Sequence, residues 1–157
     1  MAFPHPLPAV DVPLPSLKTI YPAPFAALVA GRVKRKLGDF FGLTNFGVNL
    51  TQLAPGAISA LLHAHTVQDE FIYVLDGTPT LVLGDEELLL QPGDCFGFKG
   101  GAGVPHQLIN RTQSPATYLE VGDRSAGDDV DYPRDDLKFH KRADGSSVLV
   151  HKDGRPY

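Results

Sequence analysis

The feature that most constrains the fold is a regular series of short β-prone runs over residues 45–122. The runs are rich in Val, Ile, Leu, Phe and Thr, and turn-forming pairs such as Pro55-Gly56, Asp76-Gly77 and Pro92-Gly93 separate them. Eight short strands at roughly ten-residue spacing are typical of a sandwich or a small barrel, so we expect an all-β fold. The predicted strands are 46–53, 58–63, 70–75, 80–83, 87–91, 95–99, 107–110 and 117–121.

The chain before this series predicts an arm and a few short elements. Residues 1–24 are punctuated by prolines, which fix φ and lack an N–H, so we expect an extended arm, either free or lying along the surface or a partner subunit. A short helix is predicted over 24–30, a strand over 32–37, and a turn or short helical piece over 38–43.

The chain after the series predicts an extension. The acidic stretch 122–136 breaks the β pattern and predicts an exposed linker. Two further β runs, 137–142 and 148–152, predict a C-terminal β-hairpin that turns at Asp144-Gly145. We therefore expect a single domain over residues 1–157, with a barrel core over 45–122 and an extension over 123–157.

Composition excludes several classes of function. The net charge is −4 and the one basic run, residues 32–36, is short, so we expect no nucleic-acid surface and interpret the run as a solvated strand. A single cysteine allows no internal disulfide, and no apolar stretch approaches the roughly 20 residues that span a membrane. The start of the chain does not resemble a secretory signal, so we expect a cytoplasmic protein. The expected partner is a small molecule.

Three histidines and one glutamate indicate a metal site. His63 and His65 are two residues apart, so a strand would point both to one face, and Glu70 follows across a short turn. A later strand begins near His106. Burying these side chains together would be costly unless a cation lay between them, and neutral imidazole with carboxylate suits Zn, Mn, Fe, Co, Ni or Cu. The sequence therefore predicts one divalent metal held by these residues.

Other side chains near these motifs have predicted supporting roles. Gln68, Asn49, Asn110 and Phe98 are expected around the metal or in its pocket, with Asn110 tying a strand end to a loop. Phe46 and Phe96 are expected in the core. Cys95 is interpreted as a buried, inert thiol. Lys99 and Arg111 are the cations nearest the motifs.

These residues resemble the two sequence motifs of the cupin family. The first motif, G-x5-HxH-x3,4-E-x6-G, resembles the run from Gly56 through Glu70 to Gly77, with one extra residue before His63. The second, G-x5-PxG-x2-H-x3-N, resembles the run from Gly93 to Asn110, with Lys99 at the proline position and a loop lengthened by two residues. The resemblance covers residues 45–122.

The resemblance implies a double-stranded β-helix, or jelly roll, of the kind found in small single-domain bacterial cupins. It implies His63, His65, Glu70 and His106 as ligands of a metal with open positions for water or substrate. Some such proteins are named as sugar-phosphate isomerases. We therefore expect a metal-dependent enzyme for a small oxygenated metabolite, either an isomerase or lyase or an iron dioxygenase. The alternative is a non-catalytic cupin that binds or senses a small molecule. A homodimer is expected because small cupins leave sheet edges and an apolar face to cover.

Overall fold

The regular secondary structure consists mainly of β-strands, which are arranged in three antiparallel sheets. The computed structural model describes residues 5–141 and 147–157. Within these ranges, the elements are η1 Ala9–Asp11, α1 Phe25–Leu28, β1 Arg32–Lys36, α2 Leu37–Phe40, β2 Phe46–Leu53, β3 Ala64–His65, β4 Glu70–Asp76, β5 Thr80–Leu83, β6 Glu86–Leu89, β7 Cys95–Phe98, β8 His106–Ile109, β9 Ala116–Asp123, β10 Val130–Asp131, β11 Lys138–Lys141 and β12 Ser147–Val150. The predicted all-β fold is confirmed.

Two of the sheets face each other around the core. One has the order β1-β2-β9-β4-β7 and the other β6-β5-β8. Apolar side chains meet between them because alternate residues of every strand point inward. This cluster consists of Leu53, Ala57, Ile72, Val74, Leu81, Leu90, Phe98, Leu108 and Tyr118.

The third sheet, β12-β11-β10-β3, adds a layer at the end of the barrel where the histidines lie. In it β11 pairs antiparallel with β12, and the predicted turn at Asp144-Gly145 lies outside the described residues. A second apolar cluster, formed by Leu61, Val130, Tyr132, Leu137 and Leu149, joins this sheet to the barrel.

The interpretation of 122–136 as an exposed linker is wrong for residues 130–132. Val130 and Tyr132 are buried in the second cluster, and β10 pairs with β3 through His65. The sequence did not predict β10, because the acidic residues around Val130 and Tyr132 leave no alternating apolar pattern. The few apolar residues of the stretch nevertheless suffice to hold it against the barrel.

The strand predicted over residues 58–63 is also wrong. Only single bridges, Ile58 to Ile109 and His63 to His106, join this segment to β8. Side chains replace the missing ladder: the Ser59 hydroxyl accepts from the Leu108 N–H at 2.9 Å, and Gln107 donates to the Ala60 carbonyl at 2.6 Å. The segment therefore crosses the barrel without continuous backbone pairing.

Two predicted interior side chains lie on the surface instead. Phe46 is 43% exposed, and the Cys95 thiol is exposed. Both residues lie on strands of the five-stranded sheet, and β-alternation points them to its outer face. Phe96, in contrast, is partly buried against the core.

The N-terminal arm passes around the edge strand β1. The guanidinium of Arg35, on the outer side of β1, donates to the Val12 carbonyl at 2.9 Å. Residues 15–21 then line a cavity on the inner side of the same strand. Covering an edge strand in this way blocks strand addition by another chain. Within the described residues, no helix is long and apolar enough to cross a membrane.

Candidate metal centre

The three imidazoles converge on one carboxylate oxygen. Oε2 of Glu70 lies 2.8 Å from Nε2 of His106, 3.6 Å from Nε2 of His65 and 3.7 Å from Nε2 of His63. The donor atoms of His63, Glu70 and His106 all lie within 4.8 Å of one another, whereas His65 falls outside that group of three. The structure thus brings together all four residues that the sequence singled out, with His65 the most peripheral.

Strand pairing explains this convergence. The backbones of His63 and His106 exchange hydrogen bonds of 3.2 and 2.8 Å, which set the two side chains next to each other. Glu70 begins β4, where it pairs with Phe98 of β7. The loop before His106 runs close to the first motif, because a Cβ on Gly100 would lie only 2.2 Å from the Val67 carbonyl oxygen. Glycine is therefore required where the lengthened loop crosses.

Two of the rings are oriented by acceptors at their outer nitrogens. Nδ1 of His63 lies 2.7 Å from the Leu61 carbonyl oxygen, and Nδ1 of His65 lies 2.6 Å from Oδ2 of Asp128. A carbonyl or carboxylate oxygen accepts a hydrogen bond, so each Nδ1 carries the proton and each Nε2 presents its lone pair toward Glu70. Lone pairs facing a carboxylate repel one another unless a cation lies between them. The donor set therefore fits a divalent metal.

The protonation states also suit a metal. Burial acts to raise the pKa of Glu70, but the hydrogen bond from His106 and the neighbouring His63 outweigh it, and the pKa lies well below its usual range. Burial lowers the pKa of His106. Glu70 is thus ionised and His106 neutral near pH 7, and a metal ion bound at Nε2 of His106 would replace the proton that this nitrogen donates to Glu70. The His106 ring stacks on Phe98 with centroids 3.6 Å apart, and its buried Nδ1 has no partner among the described residues.

Asp128 and Tyr132, which sequence reasoning missed, complete the surroundings of the histidines. Besides His65, the Asp128 carboxylate accepts from the backbone N–H groups of Val67 and Gln68 at 2.9 and 3.0 Å. The Tyr132 ring stacks on His63 with centroids 6.0 Å apart. No motif marks either residue, and each lies more than sixty positions after the histidine that it contacts. Only the pairing of β10 with β3 brings them close.

The predicted supporting residues lie at different distances from the centre. Phe98 contacts His106 directly. Gln68 borders a cavity next to His65 and donates to the Ser125 carbonyl at 2.8 Å. Asn49 donates to the Glu120 carboxylate at 3.0 Å on the inner face of the large sheet. Asn110 is fully buried and donates to the carbonyls of Leu53 and Ser114, so it joins the end of β2 to a loop.

The two cations nearest the motifs do not lie free at the site. Lys99 borders the cavity next to His65, but its Nζ is held at 3.0 Å by both oxygens of Asp69, and the side chain is largely exposed. Arg111 pairs with Glu87 at 2.5 Å on the surface. Neither residue is placed to receive the charge of a bound anion.

Three cavities open around the four residues. One of about 210 Å³ is mostly apolar and borders His65 and His106. A small one of about 80 Å³ lies inside the barrel and is bordered by His63, Glu70 and His106 together with Tyr118 and Glu120. A third of about 440 Å³ lies between the arm and β1 and borders His63 and His65. The centre is thus reached from several sides.

Comparison with known proteins identifies the family. The model of the Cupin domain family matches residues 49–122. The crystal structure of a sugar phosphate isomerase from a cupin superfamily, from Silicibacter pomeroyi, aligns at a TM-score of 0.88 and 38% identity, over 98% of this chain and 96% of that one. The chain therefore belongs to the cupin superfamily, as its two motifs predicted.

Two further solved structures are similar. A protein from Acidithiobacillus ferrooxidans, named as a candidate sugar phosphate isomerase, aligns at a TM-score of 0.70 and 34% identity, over 78% of this chain and 77% of its own. The polyketide cyclase RemF from Streptomyces resistomycificus aligns at a TM-score of 0.61 and 23% identity, over 76% and 78% of the two chains, which shows a shared fold. No curated protein matches the sequence.

The contacts of Asp128 predict a measurable stabilisation. Asp128→Asn should lower the free energy of unfolding by about 1–3 kcal/mol, because a largely buried carboxylate that accepts three hydrogen bonds is replaced by a neutral amide. Urea denaturation in the presence of a chelator measures this without a metal contribution. The matched control is Asp131→Asn, at an exposed position on β10, which should change stability by no more than about 0.5 kcal/mol. Equal effects of the two variants would contradict the assignment.

Proposed function

We propose that this protein is a metal-dependent isomerase acting on a small phosphorylated sugar or a similar oxygenated metabolite. The observation that carries the proposal is the convergence of three imidazole nitrogens on the Glu70 carboxylate, with two of the rings locked so that their lone pairs face inward. Two cupins that are at least 34% identical bear names containing sugar phosphate isomerase, which supports this class of substrate.

In this proposal His63, His65, Glu70 and His106 hold one divalent ion. The candidates are Zn, Mn, Fe, Ni and Co, since each accepts neutral imidazole and carboxylate ligands. Four protein ligands leave coordination positions for substrate oxygens, and a cation there would polarise a substrate carbonyl. His65 is held by Asp128 from behind, so we infer that Asp128 sets the orientation and basicity of this ligand.

Glu120 is the side chain best placed to move a proton. It borders the same small cavity as His63, Glu70 and His106. The Glu120 carboxylate forms an ion pair with Lys34 and accepts from Asn49 and Thr51 at 3.0 and 3.3 Å. Burial raises the pKa of the neighbouring Tyr118 well above its usual range, so that hydroxyl stays protonated and donates to Glu120. These donors hold the carboxylate in one position next to the site.

An aldose–ketose isomerisation uses these groups in a balanced way. Glu120 takes a proton from the carbon beside the substrate carbonyl, and the carbonyl oxygen gains a proton from water as the enediol forms. The proton held by Glu120 then returns to the former carbonyl carbon, while the neighbouring hydroxyl gives its own proton back to water and becomes the new carbonyl. No electrons leave the substrate, so no oxidant is consumed. The other two functions considered from the sequence would behave differently. An iron dioxygenase would consume oxygen, and a non-catalytic sensor would bind its ligand without converting it.

Metal content tests the ligand assignment. Protein purified without chelators should carry about one divalent ion per chain, and His106→Ala should lose most of it, because removal of one ligand of four leaves an incomplete site. Elemental analysis measures the stoichiometry. His151→Ala is the matched control, since His151 pairs with Asp136 away from the centre. A metal content unchanged by His106→Ala would overturn the assignment.

Proton exchange tests the reaction. With a panel of sugar phosphates in D2O, the metal-loaded protein should incorporate deuterium at the carbon next to the carbonyl, as followed by NMR. Glu120→Gln should slow this about 10²–10⁴-fold while the metal stays bound, because the amide cannot accept the proton. The control is Glu87→Gln, which alters an exposed carboxylate paired with Arg111. Substrate-induced stabilisation with no exchange would instead favour the sensing function, and oxygen uptake would favour the dioxygenase.

We also infer that two copies associate through the outer face of the five-stranded sheet. Val33, Phe46, Phe71, Tyr73 and Leu75 are each 40–44% exposed on that face. If two copies pack with these faces together across a two-fold axis, the apolar side chains of both are removed from water.

The oligomeric state of a charged variant tests this homodimer. Phe71→Glu should convert a dimer into a monomer of 16.9 kDa, because the charge would be buried without a partner. Size-exclusion chromatography with light scattering gives the mass. Leu89→Glu, at a 61% exposed position on the smaller sheet, is the control and should leave the dimer intact. A wild-type monomer would refute the inference.

A further inference from the structure

A cavity of about 440 Å³ between the N-terminal arm and β1 ends at two of the histidines. Residues 15–21 form one wall, β1 forms another, and His63 and His65 form the inner end. Its volume falls within the range of about 300–1,000 Å³ that is usual for small-molecule sites. A molecule in this cavity would therefore reach the candidate metal centre from the side of the arm.

The walls of the cavity carry cations and no carboxylate among the described residues. Arg32, Lys34 and Lys36 line it, and Lys18 of the arm faces them. Strand alternation causes this grouping: residues 32, 34 and 36 are two apart on β1, so they share its inner face. The sequence predicted this basic run to be a solvated strand. The structure instead turns its alternate residues toward a cavity beside the histidines.

The four charges are not equally free. Lys34 forms an ion pair with Glu120, and Lys36 lies 3.7 Å from Asp39 on the surface. Arg32 donates one of its five N–H groups to the Ser59 carbonyl. The ion pair with Glu120 neutralises Lys34. Even when Lys36 is also counted as neutralised, Lys18 and Arg32 leave the lining with a net positive charge.

Neutral hydroxyls complete the lining. The Tyr132 hydroxyl is hydrogen-bonded to the Tyr21 hydroxyl, which also accepts from the Leu61 N–H. Burial raises the pKa of Tyr21, so this phenol stays protonated and keeps its own O–H as a donor. Both tyrosines border the cavity, as do the exposed Ser16 and the half-buried Thr19 of the arm. Cations with hydroxyl donors around one cavity match an oxyanion that carries two charges.

We propose that this cavity binds the phosphate group of a small phosphorylated metabolite, with Lys18, Arg32 and Lys36 as its cationic contacts. The inference deepens the proposed function, on which it rests for the view that the rest of the ligand reaches the metal. It assigns the phosphate contacts to residues of β1 and the arm, and not to Lys99 and Arg111, the cations nearest the motifs in the sequence. A nucleic acid does not match, because the site is a cavity within a chain of net charge −4.

Binding of inorganic phosphate to the metal-free and the metal-loaded protein tests the proposal. Isothermal titration calorimetry at low ionic strength should detect phosphate binding in both forms, since the cationic contacts do not require the metal. The double variant Lys18→Gln/Lys36→Gln should weaken binding to the metal-free protein about 10-fold or more, because two exposed charges are removed from the lining without altering the core.

A charge-matched control separates a local site from a general effect of charge. Lys99→Gln/Lys138→Gln removes two lysines that do not line the cavity, and it should leave phosphate affinity within about 2-fold of wild type. Equal weakening by both double variants, or phosphate binding only when metal is loaded, would overturn the proposal. If the protein never retains a metal but still binds phosphate, the phosphate site is upheld and the proposed metal-dependent enzyme is refuted. The two failures are therefore distinguishable.

Discussion

The structure depends on a half-buried carboxylate that faces three imidazoles. Glu70 stays ionised in this position because His106 donates a hydrogen bond to its carboxylate. Burying such a charge is unfavourable unless its partners are fixed in place. The elements around the centre provide that fixation: β8 pairs with the segment before β3, Phe98 stacks on His106, and Asp128 holds His65.

The inner face of the five-stranded sheet changes character along its strands. Toward one end it carries apolar side chains such as Leu53 and Val74, which form the core. Toward the other it carries a polar group in which Glu120 is linked to Lys34, Asn49 and Thr51. Strand alternation places both parts on the same face, so one set of strands carries the apolar core and the polar group beside the histidines.

The accuracy of the sequence-based predictions followed the range of the interactions involved. Periodicity within a strand is local, and β2 and β5 were predicted with the boundaries that the structure shows. The segment over 58–63 fails because Ser59 and Gln107 satisfy backbone groups across the barrel, which local periodicity does not reveal. The predictions that Cys95 and Phe46 are buried fail for a related reason. Strand alternation shows which residues share a face of the sheet, but it does not show which face is covered by other elements.

The sequence by itself determined the fold class and the family, and it singled out the four residues that converge at the centre, because motif spacing and strand alternation are encoded locally. Only the tertiary structure decided what surrounds them. Asp128 reaches His65 through the pairing of β10 with β3, and the arm closes a cavity over Arg32, Lys34 and Lys36. Residues so far apart in the chain carry no common period, so their contacts depend on how separate elements pack.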